Sequence, residues 1–226
     1  MKAQRRALLL VGSPRGPRST SESLGTYLID RLRERGWETD KGRIGPALKS
    51  DKGLADLLRA LDDADLLIVA FPLYVDSLPA PVIRFMELVA DRRKSRQERK
   101  RQRFLAIANN GFPEADQNDT ALAVCRRFAL ETGLEWVGGL ALGMGGAVSG
   151  RALSDLGGMV RNVTKALDLT AGALTDGEPV PAEAVELMAR PLMPIWMYTF
   201  MGNVGWIYQA RKHGVRRRLK DRPYQG

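Results

Sequence analysis

Five short apolar runs divide the chain, and each is followed by a loop and then by a stretch whose apolar residues recur every three or four positions. Residues 7–12 (ALLLVG) are apolar without alternation, as expected of a strand buried on both faces. A Gly/Pro/Ser/Arg loop over residues 13–20 leads into a helix, with Ser21 as its expected N-cap, Leu24, Leu28 and Leu32 on one face and Gly36 as the stop. Residues 37–44 give a weak second strand, and Leu54, Leu57, Leu58 and Leu61 mark a second helix. Residues 65–71 (DLLIVAF) are the clearest strand, ended by Pro72. Residues 79–89 read as a helix with prolines near its first turn. Strands are expected over 104–108 and 136–142, helices over 122–130 and 153–174, and a glycine-rich loop over 143–150. Five β-α repeats of this kind predict an α/β fold with a parallel sheet covered on both faces and joined by right-handed crossovers. After a linker at 175–181 come an amphipathic stretch, an uncharged segment and a basic tail.

Composition narrows the chemistry. Cys125 and His213 are the only cysteine and histidine, which excludes a disulfide, a CxxC pair, a thiolate zinc cage and most Ser–His or Cys–His catalysis. Residues 7–11 are too short for a signal-peptide core, so we expect a cytoplasmic protein. The net charge is +9, but residues 92–103 (eight Lys/Arg against Glu98) and 211–222 (seven Lys/Arg against Asp221) carry +7 and +6, leaving −4 for the rest. Each patch reads either as a solvated face or as a contact for an anionic partner.

In an open α/β sheet, ligands sit beyond the carboxyl ends of the strands. The loop after the first strand offers Ser13, Ser19, Thr20 and Ser21 with Arg15 and Arg18 at a helix start, a donor set suited to phosphate; the plain alternative is a polar turn with a cap. It is neither GxGxxG nor GxxxxGK[ST]. After the third strand, Pro72, Leu73, Tyr74, Val75 and Asp76 suit contact with a planar ring, or plain packing. After the fourth, Asn109, Asn110, Gly111 and Phe112 allow close backbone approach and a cover, or supply only turn freedom. Gly143-Met144-Gly145-Gly146 is the weakest of these signals, because glycine-rich turns after strands are common.

GSPRGPRSTSESL, AFPLYVDSLPAPV, ANNGFPEADQND and GGLALGMGG, in that order, resemble the flavodoxin-like NAD(P)H-dependent FMN reductases, over about residues 7–174. The ending, MGNVGWIYQARKHG followed by RPYQG, is similar to tails of some of these proteins. The resemblance implies strand order 2-1-3-4-5, FMN phosphate in the 13–21 loop and the isoalloxazine between the 72–77 and 109–112 loops. It implies electron transfer from NAD(P)H through the flavin to a small acceptor such as a quinone or free flavin. No side chain is assigned as acid, base or metal ligand. Carrier flavodoxins are acidic with a Thr/Gly-rich first loop, and this chain differs on both counts. A flavin-binding or regulatory protein without turnover is the alternative. Arg15, Arg18 or the 92–103 cluster could meet the donor's phosphates.

We expect a flavodoxin-like domain over 1–174, an extension over 175–226 and a homodimer. Nucleic-acid binding is disfavoured, since no aromatic residues interleave the basic patches. Residues 191–210 hold twenty positions without a charge, broken by Pro191, Pro194, Gly202, Asn203 and Gly205. Packing on the domain or on a partner is the leading expectation for them, and peripheral contact with an anionic membrane is the rival.

Overall fold

The strands expected from the apolar runs form one sheet. In the computed structural model, residues 4–95 and 100–222 are described. Strands β1 (Arg6–Val11), β2 (Glu38–Arg43), β3 (Leu66–Pro72), β4 (Arg103–Asn109) and β5 (Glu135–Leu142) are all parallel, in the order β2-β1-β3-β4-β5. Between them lie α1 (Thr20–Glu34), a single turn α2 (Ile44–Ala47), α3 (Asp51–Asp63), α4 (Ala80–Lys94) and α5 (Asp119–Thr132). After β5 come a single turn α6 (Gly145–Val148), α7 (Arg161–Asp176), α8 (Ala182–Ala189) and α9 (Ile195–Lys212).

Alternation along the strands sorts the core into two layers. Leu9, Val11, Ile68, Ala70, Leu105 and Ile107 face α1, α7 and α8. Leu8, Leu10, Leu67, Val69, Phe71 and Phe104 face α3, α4 and α5. β2 carries almost no apolar residue because it is the edge strand, half-exposed along its length. That explains why its sequence signal is weak.

Three local expectations change. The N-cap of α1 is Ser19, whose Oγ accepts from the Glu22 N–H at 3.2 Å; Ser21 is the second residue of the helix and is fully buried. The long helix expected over 153–174 is two pieces, a 3-10 segment Leu153–Val160 and α7. The 3-10 segment is itself kinked at Gly157, whose φ of 54° and ψ of −137° are not helical. The 175–181 linker is partly ordered against the sheet, with the Val180 N–H donating to the Val137 carbonyl at 2.7 Å.

The chain divides into two units, Met1–Leu192 and Met193–Gly226. α8, grouped with the extension in the sequence reading, packs on α7 and β5 within the first unit. The second unit consists of α9 and a 3-10 turn at Arg216–Arg218. No helix among the described residues is long and apolar enough to cross a membrane.

Candidate functional site

The loops after β1, β3, β4 and β5 converge at the carboxyl edge of the sheet around a cleft of about 260 Å³. Each is drawn inward by backbone bonds that extend the ladder past the last strand residue. The Gly12 N–H donates to the Ala70 carbonyl at 2.8 Å, Leu73 N–H to Asn109 at 2.7 Å and Asn110 N–H to Leu142 at 3.0 Å. Gly12 has no alternative here: a Cβ would stand 2.2 Å from Val82 Cγ2 of α4.

The β1 loop turns at Ser13, passes through a 3-10 turn at Gly16–Arg18 and enters α1. Its hydroxyls are not equivalent. Thr20 donates its hydrogen to the Gly145 carbonyl at 2.7 Å, tying the β1 loop to the β5 loop. Ser13 Oγ accepts from the Arg15 N–H, Ser19 Oγ from Glu22 N–H and Ser21 Oγ from Asn109 Nδ2 at 2.8 Å. Those three serines accept within the protein and keep hydrogens to donate. The N–H groups of Thr20 and Ser21, in the first turn of α1, find no acceptor among the described residues. With the positive end of a fifteen-residue helix behind them, they make an anion cradle.

Charge agrees. Arg15 is the one charged side chain lining the cleft among the described residues, and its guanidinium makes no ion pair. Glu22 in the first turn of α1 would oppose an anion, but it is held by Lys41 at 2.7 Å and Arg43 at 3.3 Å. Burial alone would raise its pKa. The hydrogen bonds from Lys41 and Arg43 outweigh burial and lower it below the usual carboxylate value.

Asn109 and Asn110 are buried and act as braces. Asn109 Nδ2 also donates to the Phe71 carbonyl at 2.9 Å, joining the β1, β3 and β4 loops. Asn110 Nδ2 donates to the Glu114 carbonyl at 3.0 Å, while its Oδ1 accepts from the Phe112 N–H at 2.9 Å. After β3, Tyr74 and Ser77 exchange backbone bonds at 2.9 and 3.0 Å across a tight turn. The turn forces Val75 and Asp76 to φ of 47° and 56°, a left-handed geometry that costs roughly 1–2 kcal/mol for each non-glycine residue.

The cleft is lined by Ser13, Arg15, Ser19, Thr20 and Ser21 from the first loop, Pro72, Leu73 and Tyr74 from the second, and Asn109, Asn110 and Gly111 from the third. Val75, Asp76 and Phe112, expected from the sequence, are not among its lining residues; Val75 is 96% exposed, at the tip of its turn. Gly145 and Gly146, in the loop that gave the weakest of the sequence signals, line it as well. A Cβ at Gly145 would stand 2.8 Å from the Asn110 carbonyl oxygen, so only glycine permits that approach. The signal was present in the glycine-rich turn, but its meaning depends on β5 lying beside β4.

The described residues of the 92–103 cluster do not line the cleft: Arg103 begins β4 and Asn109 ends it, so Arg103 sits at the opposite end of the strand, about 20 Å away at roughly 3.3 Å per residue. Residues 96–99 of that cluster lie outside the described residues.

The fold is similar to that of a flavodoxin from Streptococcus pneumoniae TIGR4, at 18% identity over 76% of this chain and 99% of that one, with a TM-score of 0.53. An FMN-dependent NADH-azoreductase from Bacillus anthracis, solved in complex with FMN, matches at 10% identity over 76% and 100%, with a TM-score of 0.53. An NADH:FMN oxidoreductase in its apo form matches at 17% identity over 84% and 97%, with a TM-score of 0.55. At these identities the likeness concerns the fold. No curated protein sequence matches this one. Residues 5–115 span β1 to β4 and the first three cleft loops, and they match the model of the NADPH-dependent FMN reductases.

Proposed function

We propose that the protein is an FMN-dependent oxidoreductase that passes electrons from NAD(P)H to a small acceptor such as a quinone or free flavin. The observation that carries this reading is one cleft in which an anion cradle at the start of α1 adjoins a space bounded by the β3 and β4 loops. The donor set fits a phosphorylated planar ring. Ser13, Ser19 and Ser21, Arg15 and the N–H groups of Thr20 and Ser21 would hold the phosphate. Pro72, Leu73 and Tyr74 would flank the ring opposite Asn110 and Gly111. The family match supports FMN, as do neighbours named as an FMN-dependent NADH-azoreductase and an NADH:FMN oxidoreductase.

Bound FMN supplies hydride acceptance and onward electron delivery. The chain's residues bind and orient. No carboxylate, histidine or cysteine lines the cleft among the described residues, so the lining residues offer no carboxylate, imidazole or thiol for proton transfer. Thr20 and Asn109 fix the spacing of the loops, and Arg15 supplies positive charge at the cradle.

The test is titration of the purified chain with FMN, followed by anaerobic addition of NADH or NADPH. Saturable binding and bleaching of the flavin band are expected. Binding without bleaching favours a flavin-binding protein without turnover, and no binding by a folded chain overturns both. Gly111→Val sharpens the site: a Cβ there meets nothing within 4 Å, so the fold survives while the side chain enters the cleft and FMN binding falls.

A further inference from the structure

The second unit has almost no interior. Ala210 is its one buried residue among those described, whereas Trp196, Phe200, Met201, Val204, Trp206, Ile207 and Tyr208 are 42–74% exposed. Trp196, Phe200, Val204 and Ile207 follow the helical spacing and form a stripe along α9, with Met201 and Tyr208 beside it. Thr199, Gln209 and two glycines hold the other side, together with Ile195 and Trp206, while Asn203 falls at the edge of the stripe. No charge interrupts the helix before Arg211. An exposed apolar stripe of this size marks a contact surface.

Directly after it the charge changes. Arg211, Lys212, Arg216, Arg217 and Lys220 form no ion pair among the described residues; Arg218 pairs with Asp221 at 2.9 Å. The unit therefore joins an uncharged, aromatic-rich helix to an unneutralised cationic end. A second copy would bring another tail of the same sign. A nucleic acid would meet the tail but not the helix. An anionic bilayer complements both: apolar and aromatic side chains enter the headgroup boundary, and the cations meet lipid phosphates. Eighteen residues rise about 27 Å, short of the roughly 30 Å hydrocarbon core, and Gly202, Asn203 and Gly205 weaken the span further. The segment lies along a surface instead of crossing it.

We infer that residues 194–222 form a peripheral docking element for an anionic lipid bilayer, with α9 in the interface and the basic tail on the headgroups. The inference does not depend on the flavin reading, because the test needs no FMN.

The full chain is sedimented with vesicles of phosphatidylcholine mixed with phosphatidylglycerol, and with pure phosphatidylcholine, at low and high salt. Sedimentation with the anionic vesicles alone, release at high salt and a blue shift in tryptophan emission are expected. Arg216→Glu, Arg217→Glu and Lys220→Glu together should lower partitioning by about a hundredfold or more, from roughly fivefold per basic residue. Trp196→Ser with Phe200→Ser leaves the charge unchanged and should also reduce binding. The proposal is overturned by a folded chain that ignores anionic vesicles, or by unchanged binding of the Trp196→Ser/Phe200→Ser variant. It is equally overturned if the chain binds duplex DNA but not vesicles, or forms a lipid-indifferent dimer that the same variant dissociates.

Discussion

Two segments supply more than the whole net charge of this protein, and the fold treats them in opposite ways. At the first, acids distant in sequence arrive as partners. Arg92 pairs with Asp62, Lys100 with Asp65 at 2.8 Å and Arg101 with Glu135 at 3.0 Å. Arg93 is buried, donating to the Thr132 carbonyl at 2.7 Å, the Gly133 carbonyl and Gln102 Oε1. Arg103 donates to the Leu174 carbonyl at 3.0 Å. These cations join α3, α4, α5 and the lower ends of the strands. At the second segment five cations have no ionic partner among the described residues. Arg15 resembles them, a cation at the rim of the cleft with no ion pair among the described residues. Composition alone makes the two segments look alike. Pairing separates structural charge from charge left for a ligand.

The largest expected effect tests how tightly the paired region is closed. Cys125 lies on α5, the helix followed by the carbonyls that Arg93 holds, and burial pushes its thiol up to about 12. Near pH 8 its reaction with a thiol reagent should be about a thousandfold slower in the native than in the unfolded chain, from the thiolate fraction alone. Comparable rates would mean that α5 opens readily. Next, Arg93→Met removes donors from two buried acceptors and one part-buried acceptor and should cost about 3 kcal/mol in urea unfolding, whereas Arg217→Met should stay within about 0.5 kcal/mol. Similar costs would erase the distinction between the two segments.

Arg15→Ala should weaken FMN about tenfold, as for one exposed charge-assisted bond, with Arg92→Ala leaving affinity unchanged. Equal losses would show that affinity follows net charge and not placement. The smallest effect is at acid pH. Glu22 has its folded pKa lowered by Lys41 and Arg43, so its contribution is full above the unfolded value near 4.5 and is lost as pH falls through the lower folded value. Glu22→Gln should flatten the acid limb of stability below about pH 4.5, and an unaltered limb would argue against the triad.

Strands and loops were legible where local chemistry decides. The runs ALLLVG and DLLIVAF can be stable only when covered on both faces, and a hydroxyl-rich turn opening a helix gathers donors suited to an anion. Ser13, Arg15, Ser19 and Ser21 belong to such a turn, and all four line the cleft. The division of labour among the hydroxyls was not, because Thr20 is spent on Gly145, 125 residues away. Val75 and Phe112 look like ring contacts beside Tyr74 and Gly111, yet a tight turn directs one outward and the other lies outside the cleft lining.

The sequence by itself determined the β-α rhythm, the parallel order it implies and which loops carry donors, since these follow from hydrophobic spacing and side-chain type. Tertiary structure alone decided which cations are neutralised, which hydroxyls stay available and that Gly145 enters the cleft. Those outcomes depend on neighbours brought together by the sheet, and a pairing between residues thirty to more than a hundred positions apart has no local signature.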